Sequence, residues 1–90
     1  MYSKMVFIGN PSGLHARPAT DFITCAKKFA SRITICEEGK EQRAVNAKSI
    51  VSLLTLSLTQ GKRAVIAAKG ADEQEAVDTL VALVESGFGE

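Results

Sequence analysis

The sequence predicts an α/β (α+β) fold: a two-layer open-faced β-sandwich, ordered βαββαβα, with a four-stranded sheet and three helices on one face. Some segments have apolar residues at every second position, which is typical of strands. They are separated by segments whose apolar residues recur every three and four residues, which is typical of helices. Ninety residues, 46% of them hydrophobic and 23% charged, suffice for one core. Laying three apolar helix faces on one side of a single sheet buries them all and leaves the other face open to water.

The first strand and helix follow from the amino-terminal third of the chain. Tyr2–Ile8 alternates and is rich in β-branched and aromatic residues, which predicts a strand, and the turn-forming Gly9–Gly13 ends it. From Pro18 onward, apolar residues at helical spacing predict a helix. Its expected buried stripe is Ala19, Phe22, Ile23, Ala26, Phe29 and Ala30.

A hairpin and a short helix come next. Ile33 and Ile35 alternate with polar residues and predict a strand, the turn-like Glu37–Lys40 follows, and a polar third strand is expected to run to about Val45. Ser49 is a favoured N-cap, so the apolar residues that follow it predict a short capped helix.

The last strand and helix have the strongest patterns. In the segment Lys62–Lys69, the positions that face each side of a strand are both apolar, which predicts a mostly buried central strand. Lys4, Arg32 and Lys62 are compatible with a water-facing side of the sheet. Asp72 and Glu75 have the spacing of a capping box, and Gly87 lies where a left-handed helix stop is expected. The third helix is predicted to bury Ala76, Val77, Leu80, Val81 and Val84.

Composition and charge exclude several function classes. Eleven basic and ten acidic residues give a net charge of +1, too little for a nucleic-acid-binding field. The most apolar stretch, Ile50–Leu58, is too short for membrane insertion, and the first residues lack a secretory signal, so we expect a cytoplasmic protein. Cys25 and Cys36 lack metal-ligand spacing and are interpreted as reduced packing residues; no metal or cofactor is expected.

The only histidine lies directly before the predicted first helix, in the heptapeptide Gly13–Ala19. A helix with Pro18 in its first turn usually has Ser, Thr, Asp or Asn upstream as a cap, yet no such residue directly precedes the helix here. The backbone amides of Ala16 and Arg17 are therefore predicted to be free, and with the helix dipole they would favour an anion. The guanidinium of Arg17 adds donors that suit phosphate oxygens.

This setting favours a neutral, nucleophilic imidazole at His15, because the helix end and Arg17 disfavour the imidazolium. A phosphoryl group on that ring would be stabilised by the same positive surroundings. Two alternatives stay open at this point: His15 as an ordinary polar loop residue, or as the general base of a small hydrolase. The chain has no second histidine and no nucleophile or orienting carboxylate at recognisable spacing, which argues against the hydrolase.

Gly13–Ala19 closely resembles the active-site signature of the HPr family, the histidine-containing phosphocarriers of the bacterial sugar phosphotransferase system. The similarity continues at Asn46–Ile50 in the second helix, at Gln60–Gly61 and at Gly70–Ala76. It implies that residues 1–90 form a single HPr-like domain with an antiparallel sheet. It also implies a phosphoryl carrier rather than an enzyme.

The resemblance further implies a relay. Enzyme I, charged from phosphoenolpyruvate, would phosphorylate Nδ1 of His15, which then passes the group to IIA domains of sugar permeases, with Ala16 and Arg17 binding the phosphate. Ser49 matches the family's regulatory serine, which is a target of HPr kinase/phosphorylase. The resemblance would make that kinase and transcriptional regulators further partners. The alternative is that Ser49 is only a helix cap.

An apolar docking patch is expected on the second helix, because its four large apolar residues cannot all point inward. In the family a patch here docks partners, and Ile50 and Val51 are the better candidates. Leu54 is also assigned to the patch, although the sequence does not separate docking from packing for Leu53 and Leu54. The protein is expected to be a monomer.

The sequence departs from the family pattern in two places. The stretch Cys36–Ser49 is longer than the commonest pattern, and the tail Glu85–Phe88 resembles the nitrogen-branch paralogue NPr as much as the sugar-branch protein. Alternative functions are therefore a nitrogen-branch carrier or a regulatory binding module that acts through Ser49.

Overall fold

The computed structural model describes residues 1–90, and its element order confirms the predicted βαββαβα arrangement. All strand pairs are antiparallel, and the sheet order is β1-β4-β2-β3. The elements are β1 (Tyr2–Phe7), α1 (Ala16–Ala26), β2 (Arg32–Glu37), β3 (Val45–Asn46), α2 (Ile50–Leu54), β4 (Arg63–Lys69) and α3 (Glu73–Glu85).

The core lies between the helices and one face of the sheet. Strand β4 is central, as predicted, and points Ala64, Ile66 and Ala68 into the core while the residues between them face the other side. Every predicted core residue of α3 is buried, and Gly87 has the expected left-handed conformation with φ +75°. Both cysteines are free.

The sheet's other face is open, but two of the three polar residues expected there, Lys4 and Lys62, are not on it. Lys62 precedes β4, and its Nζ donates to the carbonyl of Ser57 at 3.1 Å. Lys4 pairs across the strands with Ile66 and so lies on the helix side of β1. Its Nζ is 2.8 Å from Asp78 Oδ1 of α3, so its charge is paired at the margin of the core. The open face instead exposes Met5 and Phe7 of the same strand.

The predicted third strand is wrong over most of its length. Only Val45 and Asn46 pair with β2, opposite Ile35 and Thr34. The residues before them, Glu41–Arg43, form a single 3₁₀ turn, so the extra length of this hairpin is used in a turn rather than in the sheet.

The first helix ends earlier than its apolar pattern predicts. Helix α1 stops at Ala26, so Phe29 only packs on the margin of the core and Ala30 is exposed. The N–H groups of Lys28 and Phe29 donate to the carbonyls of Cys25 and Ala26 in a tighter turn. The next two N–H groups, of Ala30 and Ser31, donate to the carboxylate of Asp72, both at 2.9 Å.

The predicted capping box at the start of α3 is also wrong. The carboxylate of Asp72 makes no cap hydrogen bond to its own helix, because it accepts hydrogen bonds from the backbone at Ala30 and from both the backbone and the hydroxyl of Ser31. Asp72 therefore joins the start of β2 to the start of α3.

Candidate functional site

His15 is the N-cap residue of α1, with an extended backbone (φ −131°, ψ 168°). Its side chain makes no capping hydrogen bond, and the residue is half-buried. The expected absence of a side-chain cap is confirmed.

The first-turn amides of α1 have no partner within the protein. None of the hydrogen bonds in the structure uses the backbone N–H of Ala16 or Arg17, and Pro18 has no N–H to donate. The first bond of the helix runs from the N–H of Ala19 to the carbonyl of His15, at 3.4 Å. The positive end of an eleven-residue helix therefore presents two free donors directly after His15.

Ala16 has a backbone conformation that a residue with a Cβ rarely adopts. Its φ is +52°, in the left-handed region, although it opens a right-handed helix. Holding a non-glycine residue there costs of order 1 kcal/mol, and such residues cluster at functional sites. The helix start at this position is thus under local strain.

Arg17 is not fixed in place. Its side chain is 91% exposed, and its ion pair with Asp21 is long, with 4.0 Å between Nε and Oδ2. Such an exposed pair contributes little stability. The guanidinium is therefore available to an incoming anion at small cost.

The loop before His15 is packed tightly against the chain that precedes β4. Gly13 has φ +61°, and a Cβ on it would lie 2.4 Å from the carbonyl oxygen of Leu58. The N–H of Leu14 donates to that same oxygen at 2.8 Å, and the Leu14 side chain is buried in the core. These contacts fix where the next residue, His15, emerges.

A second set of contacts on this loop was not predicted from the sequence. The carboxylate of Glu90 accepts hydrogen bonds from Asn10 Nδ2 at 3.0 Å, from the Ser12 N–H at 3.1 Å and from Ser12 Oγ at 2.7 Å. The Asn10 amide also donates to the carbonyl of Gly13 at 2.9 Å. A turn-forming asparagine and serine were the only signal, and nothing local indicated their distant partner.

Helix α2 carries both Ser49 and the expected patch. Ser49 is the N-cap, and its hydroxyl accepts from the Ser52 N–H at 3.3 Å, as predicted. Ile50, Val51 and Leu54 are 38%, 73% and 41% exposed. Leu53 is 1% exposed, so it packs in the core whereas Leu54 does not, a distinction that the sequence did not give. Helix α2 packs against α1, so the exposed patch lies on a helix adjacent to the one that His15 caps.

Residues 2–86 match the family model described as the PTS HPr component phosphorylation site. The chain belongs to the HPr family. It is a phosphocarrier protein of the phosphotransferase system, a carrier of phosphoryl groups without catalytic turnover of its own.

Similar proteins agree with this over nearly the whole chain. The phosphocarrier protein HPr of Haemophilus influenzae is 51% identical over 84 residues, which cover 93% of this chain and 95% of that protein. The HPr-like protein Crh of Halalkalibacterium halodurans is 41% identical over 85 residues, covering 94% of this chain and 98% of that protein.

The HPr fold is confirmed by solved structures. The crystal structure of HPr-C-His from Thermoanaerobacter tengcongensis superimposes with a TM-score of 0.93 at 44% identity, over 100% of this chain and 98% of that one. None of the three helices has the length and apolar character needed to cross a membrane.

Proposed function

We propose that His15 is the residue that carries the phosphoryl group, taking it from phospho-enzyme I and passing it to IIA domains of sugar permeases in the cytoplasm. The observation that supports this most directly is that the half-buried His15 is followed directly by the two unpaired amides of Ala16 and Arg17. On this proposal, residues 1–90 work as one monomeric domain.

The chemistry is a direct displacement at phosphorus. A ring nitrogen of His15, Nδ1 by resemblance to the family, forms the new N–P bond as the bond between phosphorus and the donor breaks. The bound group then carries close to two negative charges. Each favourable charge interaction at a helix N-terminus is worth about 0.3–1 kcal/mol, so the group is held weakly enough to be passed on.

Arg17 would supply the one mobile cation of the site. Because its guanidinium is exposed and only loosely paired with Asp21, it can turn to the phosphoryl oxygens without breaking a strong contact. Ala16 contributes its N–H only. Neither group needs to move a proton for the transfer.

Incubation with enzyme I and labelled phosphoenolpyruvate tests the proposal. We expect acid-labile label in the wild-type protein, none in His15→Ala and slowed labelling in Arg17→Ala. Lys27→Ala is the matched control, since Lys27 is an exposed cation just past the other end of α1, and it should label at the wild-type rate. Stable labelling of His15→Ala, or multiple turnover without enzyme I, would contradict the proposal.

Regulation at Ser49 is a second candidate function. Its hydroxyl caps α2 and stands next to Ile50 and Val51, two residues of the exposed patch proposed to dock partners. A phosphate there would stabilise the helix end but place two negative charges beside an apolar surface, so docking of enzyme I should weaken. HPr kinase/phosphorylase with ATP should label the wild-type protein and not Ser49→Ala, and the labelled protein should show a higher KM with enzyme I.

A regulatory module acting through Ser49 alone, or a nitrogen-branch carrier, are the alternatives. The presence of His15 together with Arg17 argues against the first. Parallel transfer assays with sugar-branch and nitrogen-branch enzymes I address the second, and faster transfer from the nitrogen-branch enzyme would reassign the branch.

A further inference from the structure

The loop that leads to His15 is held from two sides. On one side, the Leu14 N–H donates to the Leu58 carbonyl, and Gly13 lies against the same backbone. On the other side, the carboxylate of Glu90 accepts three hydrogen bonds from Asn10 and Ser12.

The position of Glu90 is itself determined by the fold. Phe88 packs against the core just after α3, and the Glu90 N–H donates to the carbonyl of Gly87 at 2.9 Å. This 3₁₀ turn brings the chain back toward the loop, so the carboxylate reaches residues that lie 78 and 80 positions earlier.

Asn10 depends on this contact. Its side chain is buried, and its Oδ1 has no hydrogen-bond partner, which is a costly arrangement. Its orientation is fixed only by the two bonds of Nδ2, one to Glu90 and one to the Gly13 carbonyl. Without Glu90, the amide would keep a single bond and could rotate, releasing the Gly13 carbonyl that shapes the turn before His15.

We propose that Glu90 is a positioning residue for phosphoryl transfer: by holding Asn10 and Ser12, it fixes the turn that places His15 and the free amides of α1. This rests on the proposed function of His15. Glu90 acts through the loop and does not touch the phosphoryl group. Transfer requires the attacking nitrogen to be aligned with phosphorus, so a looser turn lowers the rate of the chemical step more than the affinity for the donor.

The two variants Glu90→Ala and Glu90→Gln separate the hydrogen bonds from the charge. Glutamine removes the negative charge, but its Oε1 can still accept from Asn10 and from the Ser12 N–H, and its Nε2 can donate to Ser12 Oγ. Alanine removes every contact. Glu85→Ala is the matched control, because Glu85 is an exposed carboxylate near the end of α3 that makes no hydrogen bond or ion pair.

Single-turnover transfer from phospho-enzyme I, measured across concentrations, gives both the rate at saturation and the KM. We expect Glu90→Ala to lower the saturating rate roughly threefold to tenfold with the KM nearly unchanged. Glu90→Gln and Glu85→Ala should stay within about twofold of wild type. Amide hydrogen exchange at Ser12 should be faster in Glu90→Ala alone.

Three outcomes would overturn the inference while leaving the proposed function intact: a wild-type rate in Glu90→Ala, an equal loss in Glu90→Gln and Glu90→Ala, or a change confined to the KM. If the wild-type protein takes up no label, the proposed function itself fails, and this inference fails with it.

Discussion

Replacement of Gly13 by alanine tests the packing that places His15. The new Cβ would lie 2.4 Å from the Leu58 carbonyl oxygen and 2.8 Å from Thr59 Cα, where ordinary contacts are 3.4–4 Å. Neither chain can withdraw freely, because Leu14 and Leu58 are joined by a backbone hydrogen bond of 2.8 Å. We therefore expect a loss of overpacking type, about 1–3 kcal/mol.

The positive φ of Gly13 adds to this loss. At φ +61° a side chain costs roughly 1–2 kcal/mol, so the free energy of unfolding should fall by about 2–5 kcal/mol in total. Gly39→Ala is the matched control: its φ is +86°, but nothing lies within 4 Å of the added Cβ. It should lose only the backbone part, about 1–2 kcal/mol.

Urea unfolding followed by circular dichroism measures both variants, and a labelling assay with enzyme I measures transfer on the folded protein. Gly13→Ala should be less stable than Gly39→Ala and slower to label, since the strained loop displaces His15. The reasoning is refuted if the two variants lose equal stability, because the contact with Leu58 would then carry no energy.

Three further predictions concern α2 and the junction between β2 and α3. Leu53→Ala should lower the free energy of unfolding by about 2–5 kcal/mol because Leu53 is buried. Val51→Ala should change that free energy by less than about 0.5 kcal/mol and instead raise the KM with enzyme I, because Val51 is exposed. Equal stability losses in urea would contradict this. Ser49→Ala should cost about 1 kcal/mol in urea through the lost cap, and an unchanged midpoint would show that the hydroxyl contributes nothing. Hydrogen bonds from Ser31 and from the backbone hold the pKa of Asp72 below its ordinary value of 3.8, so the unfolded chain binds that proton more readily. The stabilisation is present above pH 3.8 and is lost as the pH falls through the lower, folded pKa. Asp72→Asn should therefore destabilise the protein at neutral pH and reduce the loss of stability in acid; an unchanged acid dependence of the unfolding midpoint would exclude this role.

The heptapeptide Gly13–Ala19 was the strongest signal in the sequence, since it predicted both the family and a helix that starts without a side-chain cap. The structure adds the reason the site is accessible: the amides of Ala16 and Arg17 have no internal partner, and His15 is only half-buried. The exposure of Arg17 and the left-handed backbone at Ala16 could not be predicted. Both depend on how the loop enters the helix.

The sequence by itself determined the features that repeat along the chain. Apolar residues on both faces of the segment identified β4 as the central strand. Helical spacing identified every buried residue of α3, because burial on one face of a helix imposes a period on the sequence. Ser49 was identified as a cap because its bond to Ser52 spans only three residues.

Only the tertiary structure decided which polar side chains meet. Asp72 has the local spacing of a capping box, yet it bonds Ser31, which lies 41 residues away, and Glu90 bonds Ser12 across 78 residues. A hydrogen bond between distant segments leaves no period in the sequence, since its two partners are chosen by how the sheet and helices bring their ends together. The ion pair between Lys4 and Asp78 of α3 is decided in the same way, because nothing near Lys4 in the sequence indicates that partner.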